Sequence, residues 1–270
     1  MRDATNVFPA ISASVSRWEE LRRAAAAEIQ KTRHGSARGV AVLLPLPLVA
    51  LGLAIGVASG KSGPIGYSTC GWNYWYSLML PVSVSLQCVS VAGLDARHSL
   101  RSVLGLPLDP SLSWWGKVTT CLLLLLTSNA VVLAGSVVVW ALGGSAPTPP
   151  AGIEAALILT IGFAWMVPAS LLLSLRIGTL AGVAIPSLVQ IGGGIALWGS
   201  DAWWAFVPSA ALRLPSAPLG VDPSGIPVAP QSYATYAING TWWAALALCT
   251  VAFVLLSLVG ARLARGGGAS

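Results

Sequence analysis

Six long runs of apolar residues, separated by short polar stretches, constrain this chain more than any other feature. They fall at about 40–58, 74–93, 118–142, 153–175, 178–198 and 241–259. Each is close to the ~20 residues that an α-helix needs to cross an apolar layer ~30 Å thick. All are too uniformly apolar to be amphipathic helices in water. Backbone that faces lipid must satisfy its own hydrogen bonds, so each run is expected to be an α-helix. Composition agrees. Only 9% of the 270 residues are charged, against roughly 25% in a soluble domain, too few to cover a water-facing surface. The expected fold class is all-α: a polytopic membrane protein with six transmembrane helices. The expected division is a cytoplasmic N-terminal segment, 1–38, followed by a transmembrane domain, 39–270. The first apolar run begins too late for a secretory signal, so the N-terminal segment is expected to be retained.

The basic residues set an orientation. Of the 15 Lys and Arg residues, all but Lys61 and Arg213 fall on one side of the six runs. Cytoplasmic loops carry that excess, so both termini are expected in the cytoplasm. Tryptophans crowd the run ends: Trp72, Trp75, Trp140, Trp198, Trp203, Trp204, Trp242 and Trp243 outside, Trp114 and Trp115 inside. Each reads first as an interfacial anchor.

Before the first run, Val15, Trp18, Leu21, Ala25 and Ile29 recur at helical spacing. This predicts an amphipathic helix over 14–33, lying on the inner membrane surface with its apolar face down. The loop after the second run, with Asp95, Arg97, His98, Arg101, Leu104 and Pro107, predicts a short helix stopped by Pro107. The segment 201–237 carries six prolines and the aromatic residues Trp203, Trp204, Phe206, Tyr233 and Tyr236. The prolines forbid one long helix. Short re-entrant or surface helices capping the outer exit are expected, with Trp203, Trp204 and Phe206 as the lid. Gly52, Gly56 and Gly60 repeat every fourth residue, as do Gly178 and Gly182. Such spacing lets helices approach closely, within the chain or between two chains. Pro186 and Gly192–Gly194 predict a kink or early break in the fifth helix.

Catalytic chemistry finds little footing. The two histidines, His34 and His98, lie in predicted cytoplasmic segments, and no acidic residue falls in the middle of a run. Intramembrane ionisable groups usually mark a proton or ion pathway. Gly56 to Ser62 resembles a phosphate-binding loop, but it has three residues between its glycines where that loop has four. Asn239-Gly240-Thr241 matches a glycosylation sequon by chance. Cys88, Cys121 and Cys249 lie in apolar runs and Cys70 in a loop, so no disulfide and no metal site are expected.

Three segments resemble the membrane subunits of type-2 ABC exporters, most closely the lantibiotic-immunity permeases. Glu28-Ile-Gln-Lys31-Thr-Arg33 is similar to the acidic–basic motif ending that family's N-terminal amphipathic helix. Trp72-Asn-Tyr-Trp75-Tyr76 with Leu80-Pro81 resembles its second span. Asp95-Ala-Arg97 with Leu106-Pro107 and Lys117 resembles its coupling segment, although the family usually has Glu where Asp95 stands. The resemblance implies a permease with no catalytic centre or cofactor of its own, in a bacterial cell membrane. ATP and Mg would be held by a partner dimer of ABC ATP-binding subunits, docked on the segment from Asp95 to Pro107. A second permease chain, identical or related, would complete the pathway. The cargo would be an amphipathic peptide or small molecule drawn from membrane lipid; nucleic acid plays no part. Two alternatives stay open: another six-span transport or scaffold protein, and a membrane lipid-modifying enzyme.

Overall fold

The computed structural model describes residues 17–61, 66–97 and 110–266. Six helical segments are long and apolar enough to cross a membrane: Ser36–Ala58, Ser68–Leu94, Pro110–Ala141, Pro149–Arg176, Thr179–Leu197 and Gly240–Arg265. The protein is an all-α, multi-pass membrane protein. Helix α1, Arg17–Lys31, precedes the spans. Span 1 is α2 (Ser36–Leu43) and α3 (Leu46–Ala58), divided where Pro45 and Pro47 remove backbone donors. Span 2 opens with π-helical turns, Ser68–Asn73 and Trp75–Met79, and continues as α4, Leu80–Arg97. Span 3 is α5, Pro110–Ala141. Span 4 is α6 (Pro149–Phe163) and α7 (Met166–Arg176), and span 5 is α8, Thr179–Leu197.

Between spans 5 and 6 lie α9 (Val207–Arg213), α10 (Ser216–Leu219) and α11 (Tyr233–Tyr236); span 6 is α12, Gly240–Gly266. The four described cysteines are all buried, unpaired thiols. Cys70 lies in the π-helical start of span 2 rather than in a loop. That start was hidden because Ser68, Thr69, Gly71 and Asn73 dilute the apolar run. A π-helical turn is wider than an α-turn and is frequent at functional positions.

Span 5 does not break. Its helix runs unbroken through Pro186 and Gly192–Gly194. Gly193 and Gly194 serve packing instead: a Cβ at Gly193 would lie 2.7 Å from the Phe206 ring, and one at Gly194 would lie 3.3 Å from the Pro208 carbonyl oxygen. The turn into span 5 falls at Gly178, whose φ of 132° is open to glycine but strained for other residues.

Tyr67 wedges spans 1, 2 and 3 together. It is fully buried, and its hydroxyl donates to the Val132 carbonyl at 2.8 Å. Gly52, Gly71 and Gly135 line its ring, and a Cβ at Gly52 would come within 2.8 Å of two ring carbons. A Cβ at Gly56 would lie 2.8 Å from Val139, and one at Gly182 the same distance from Ser174. These three glycines are occupied by contacts within their own chain. Gly178 is a turn residue, and a Cβ there would meet nothing within 4 Å in its own chain.

Tryptophan burial also departs from the interfacial expectation. Trp72, Trp75, Trp114, Trp203 and Trp242 are buried in protein, while Trp140, Trp204 and Trp243 are exposed. Trp114 packs on Gly260 and donates its indole N–H to the Ser257 carbonyl at 2.9 Å. It joins spans 3 and 6. Sequence spacing places these rings near span ends but cannot say which side of the helix faces protein.

Candidate functional site

The chain between spans 5 and 6 builds a cap over the end of the bundle opposite α1. After span 5 it turns back into the bundle as far as Val207, then returns as α9. Ala211 of α9 packs on Gly162 of α6, where an added Cβ would lie 3.4 Å from the Ala211 Cα. The Cys249 thiol of α12 lies 3.9 Å from the Val207 carbonyl. Cys249 is the tenth residue of α12, so at 1.5 Å per residue α9 starts roughly 13 Å below that helix's end. A helix at that depth must be shielded by protein. Pro208 to Arg213 are all buried, among α6, α8 and α12.

Three anchors hold this cap. Gln190, buried in span 5, donates to the Pro208 carbonyl at 2.9 Å and accepts from the Trp165 indole at 3.2 Å. Arg213, at the last turn of α9, is 8% exposed. It donates to the Trp198 carbonyl at 2.9 Å and the Thr235 carbonyl at 3.3 Å. Its guanidinium carbon sits 4.7 Å from the Trp203 ring centroid and 4.8 Å from that of Tyr236. Desolvation by burial lowers the Arg213 pKa, with Tyr236 and Asp201 opposing. The third anchor is the turn at Asp222, whose carboxylate accepts from the Ser224 and Ile226 backbone N–H groups. The Asn73 amide of span 2 donates to the Asp222 and Pro223 carbonyls at 3.0 and 3.1 Å, and Thr69 donates to the Gly225 carbonyl at 3.0 Å. The cap thus ties together spans 2, 5 and 6. Asn239, which matches the sequon, accepts from the Trp242 N–H at 3.0 Å and so caps the start of α12.

The expected lid residues divide. Trp203 is buried against Arg213, but Trp204 and Phe206 are 40% and 38% exposed. The continuously buried part of the segment is 208–216. Apolar residue type alone cannot distinguish a ring that plugs from one that faces lipid.

Below the cap, uncharged polar side chains cross-link the spans. The Trp75 indole donates to Asn129 at 3.0 Å, and the Asn129 amide donates to Thr160 at 3.0 Å. Gln87 donates to Ser83 and Ser128, both at 2.9 Å, leaving its buried carbonyl oxygen without a partner. Ser85 meets Ser170 at 3.3 Å and Ser187 at 3.1 Å. Spans 2, 3, 4 and 5 are joined by amides and hydroxyls, which act as interhelical glue where water is absent. Ionisable groups do not mark these positions, because every member of the network is uncharged. Gln87, Asn129 and Gln190, lone amides inside apolar runs, were the available signal. Two cavities of about 600 and 630 Å³ flank the loop between spans 3 and 4, and both are lined by Ala146, Pro147 and Leu219. Among the described residues, no group of three or more His, Cys, Asp or Glu is placed to hold a metal.

At the other end, α1 packs on α5. Gly116 allows this approach: a Cβ there would lie 3.2 Å from the Ala24 carbonyl oxygen. Glu28, 3% exposed, forms ion pairs with Lys117 at 3.1 Å and Lys31 at 2.7 Å. Its second oxygen is buried with no partner. The buried stripe of α1 therefore runs through Ala24 and Glu28, while Trp18 is 72% exposed. The apolar face expected to lie on the membrane is rotated away from the helix's protein contact. Arg33 is exposed. Asp95 and Arg97 fall at the end of α4, and nothing further is described of their side chains. His98, Arg101, Leu104 and Pro107 lie outside the described residues.

No family model matches the chain, no curated protein matches it, and no solved structure matches it.

Proposed function

We propose that this chain is the membrane permease of an ATP-driven type-2 ABC exporter, similar to the lantibiotic-immunity permeases. In this reading it moves an amphipathic peptide or small molecule out of the membrane. Two copies, or this chain and a related one, pair with a dimer of ATP-binding subunits that hold ATP and Mg. Both termini face the cytosol of a bacterial cell.

One observation carries the reading furthest. Glu28 and Lys117 belong to two separate segments that resemble the exporter family, and they meet as a buried ion pair at 3.1 Å. That pair fixes the N-terminal helix to span 3 at the end where the Asp95–Pro107 segment would receive the ATP-binding subunit. A buried pair gives the two elements one joint geometry, because separating its charges without water is costly. Motion at the ATP-binding side would then reach span 3 through α1, and Trp114 on Gly260 would pass it to span 6. Span 6 and span 5 flank α9, so their separation would release the cap. The cavities beside the cap then supply an exit for cargo that prefers an interface.

The test is copurification with an ATP-binding subunit encoded beside this chain, followed by charge reversal at Arg97 and Arg101. The expected result is loss of coupled ATP turnover while the chain stays in the membrane. A chain that binds no ATP-binding subunit, or whose coupling ignores both reversals, overturns the assignment.

A further inference from the structure

A cleft of about 380 Å³ opens between α1, α2 and α5 and is lined by Ile29, Thr32, Arg38, Val42, Leu123 and Thr127, among others. Val42 and Leu123 are 40% and 45% exposed, so its mouth faces the lipid and not the bundle. Polar and apolar groups are arranged along its length. Arg38, in the first turns of span 1, sits toward the α1 end; Leu123, Leu124 and Thr127 continue deeper along span 3. From Thr120 to Thr127 the wall rises roughly 10 Å along the helix. That length suits a headgroup and the upper part of an acyl chain.

The Arg38 guanidinium is held in place by the protein. Its Nε donates to the Thr32 hydroxyl at 3.2 Å and one Nη donates to the Ile29 carbonyl at 2.6 Å. Thr32 in turn donates to the same carbonyl at 2.7 Å. Guanidinium has five N–H donors, so two bonds fix the plane and leave the others for a ligand. None of the lining residues is acidic, and the nearby Glu28 already faces Lys31 and Lys117. A fixed cation above an apolar wall, open to lipid, matches a phosphate ester on a hydrocarbon chain. The planar fork of Arg suits phosphate oxygens, and basic pockets between spans take anionic headgroups.

We infer that this cleft binds an anionic phospholipid of the leaflet on the α1 side, with its phosphate on Arg38 and an acyl chain along Val42, Leu123 and Leu124. The site needs no ATP-binding partner and stands apart from the transport reading. By seating a lipid against α1, α2 and α5 together, it would make the packing of the N-terminal helix depend on membrane composition.

The experiment is native mass spectrometry of the full chain, delipidated in detergent and titrated with phosphatidylglycerol or phosphatidylcholine. One well-placed cation predicts a preference of about fivefold for phosphatidylglycerol. Arg38→Gln should remove that preference, and Arg38→Lys should restore part of it. Val42→Trp, a change at an exposed position, should reduce binding of both lipids by filling the cleft while Arg38 itself is kept. Glycerol 1-phosphate should fail to compete, since it has no chain for the apolar wall. Equal binding of the two lipids by the native chain overturns the inference, as does an undiminished preference in Arg38→Gln. Should Arg38→Gln fail to fold, the Val42→Trp result decides by itself: unchanged lipid binding overturns the site.

Discussion

Arg213 offers the sharpest perturbation of the cap. Replacing it with alanine deletes two charge-assisted hydrogen bonds, to the Trp198 and Thr235 carbonyls. It also deletes two cation–π contacts, with Trp203 and Tyr236. Hydrogen bonds to charged groups are worth about 1.5–3 kcal/mol each, and cation–π contacts about 0.5–2 kcal/mol each, rising with burial. The four share one group and are not additive, so a loss of about 3–5 kcal/mol follows. At about 1.4 kcal/mol per decade, opening of the cap should become about two to three and a half orders of magnitude more frequent. The readout is labelling of Ala211→Cys by a bulky hydrophilic thiol reagent. Ala211 is 1% exposed, so labelling should be slow in an otherwise native chain. It should be fast with Arg213→Ala and intermediate with Arg213→Lys, which keeps the charge but loses the fork. Ala205→Cys, at an exposed position, should label quickly in every background. A rise of less than about threefold at Ala211→Cys, well below the opening worked out above, would refute the clamp.

Four further outcomes follow from the structure. Gly52→Ala should cost about 1–3 kcal/mol through overlap with the Tyr67 ring, read as a lower melting temperature of the chain by itself; Gly56→Leu should likewise impair folding through Val139, and a native melt combined with loss of a second permease chain would contradict this. Lys117→Met should cost about 1–3 kcal/mol by leaving the buried Glu28 carboxylate to the half-exposed Lys31, whereas Glu28→Leu with Lys117→Met should recover most of it; equal melting losses in the single and double variants would refute the pairing. Burial raises the Tyr236 phenol above its ordinary value of 10.0, with Arg213 lowering it and Asp222 raising it. The stability from keeping that phenol neutral is complete below pH 10.0 and falls as pH rises through the raised value. A tyrosinate difference titration against Tyr236→Phe should show that late ionisation, and a midpoint at or below 10.0 would contradict it.

Hydropathy alone determined the six spans, because a lipid-crossing helix must be apolar along its whole length whatever it packs against. It placed their middles well and their ends less so. Span 3 begins at Pro110, eight residues before 118, because its first turns pack on α1 and carry the buried Lys117. The prolines of 201–237 forecast short helices in place of one long one, and the structure has them. Residue type could not decide orientation about a helix axis. Trp203 and Trp204 are adjacent and chemically identical, yet one is clamped against Arg213 and the other faces outward. The same holds for Ala24 and Ala25 on α1, where the buried stripe is set by Gly116 and Lys117 of a helix some ninety residues away. Glu28 and Lys117, or Arg213 and Tyr236, carry no sign in sequence that they will meet. Only tertiary packing brings them together, because long-range contact depends on which faces exclude lipid, and that is a property of pairs of helices rather than of one.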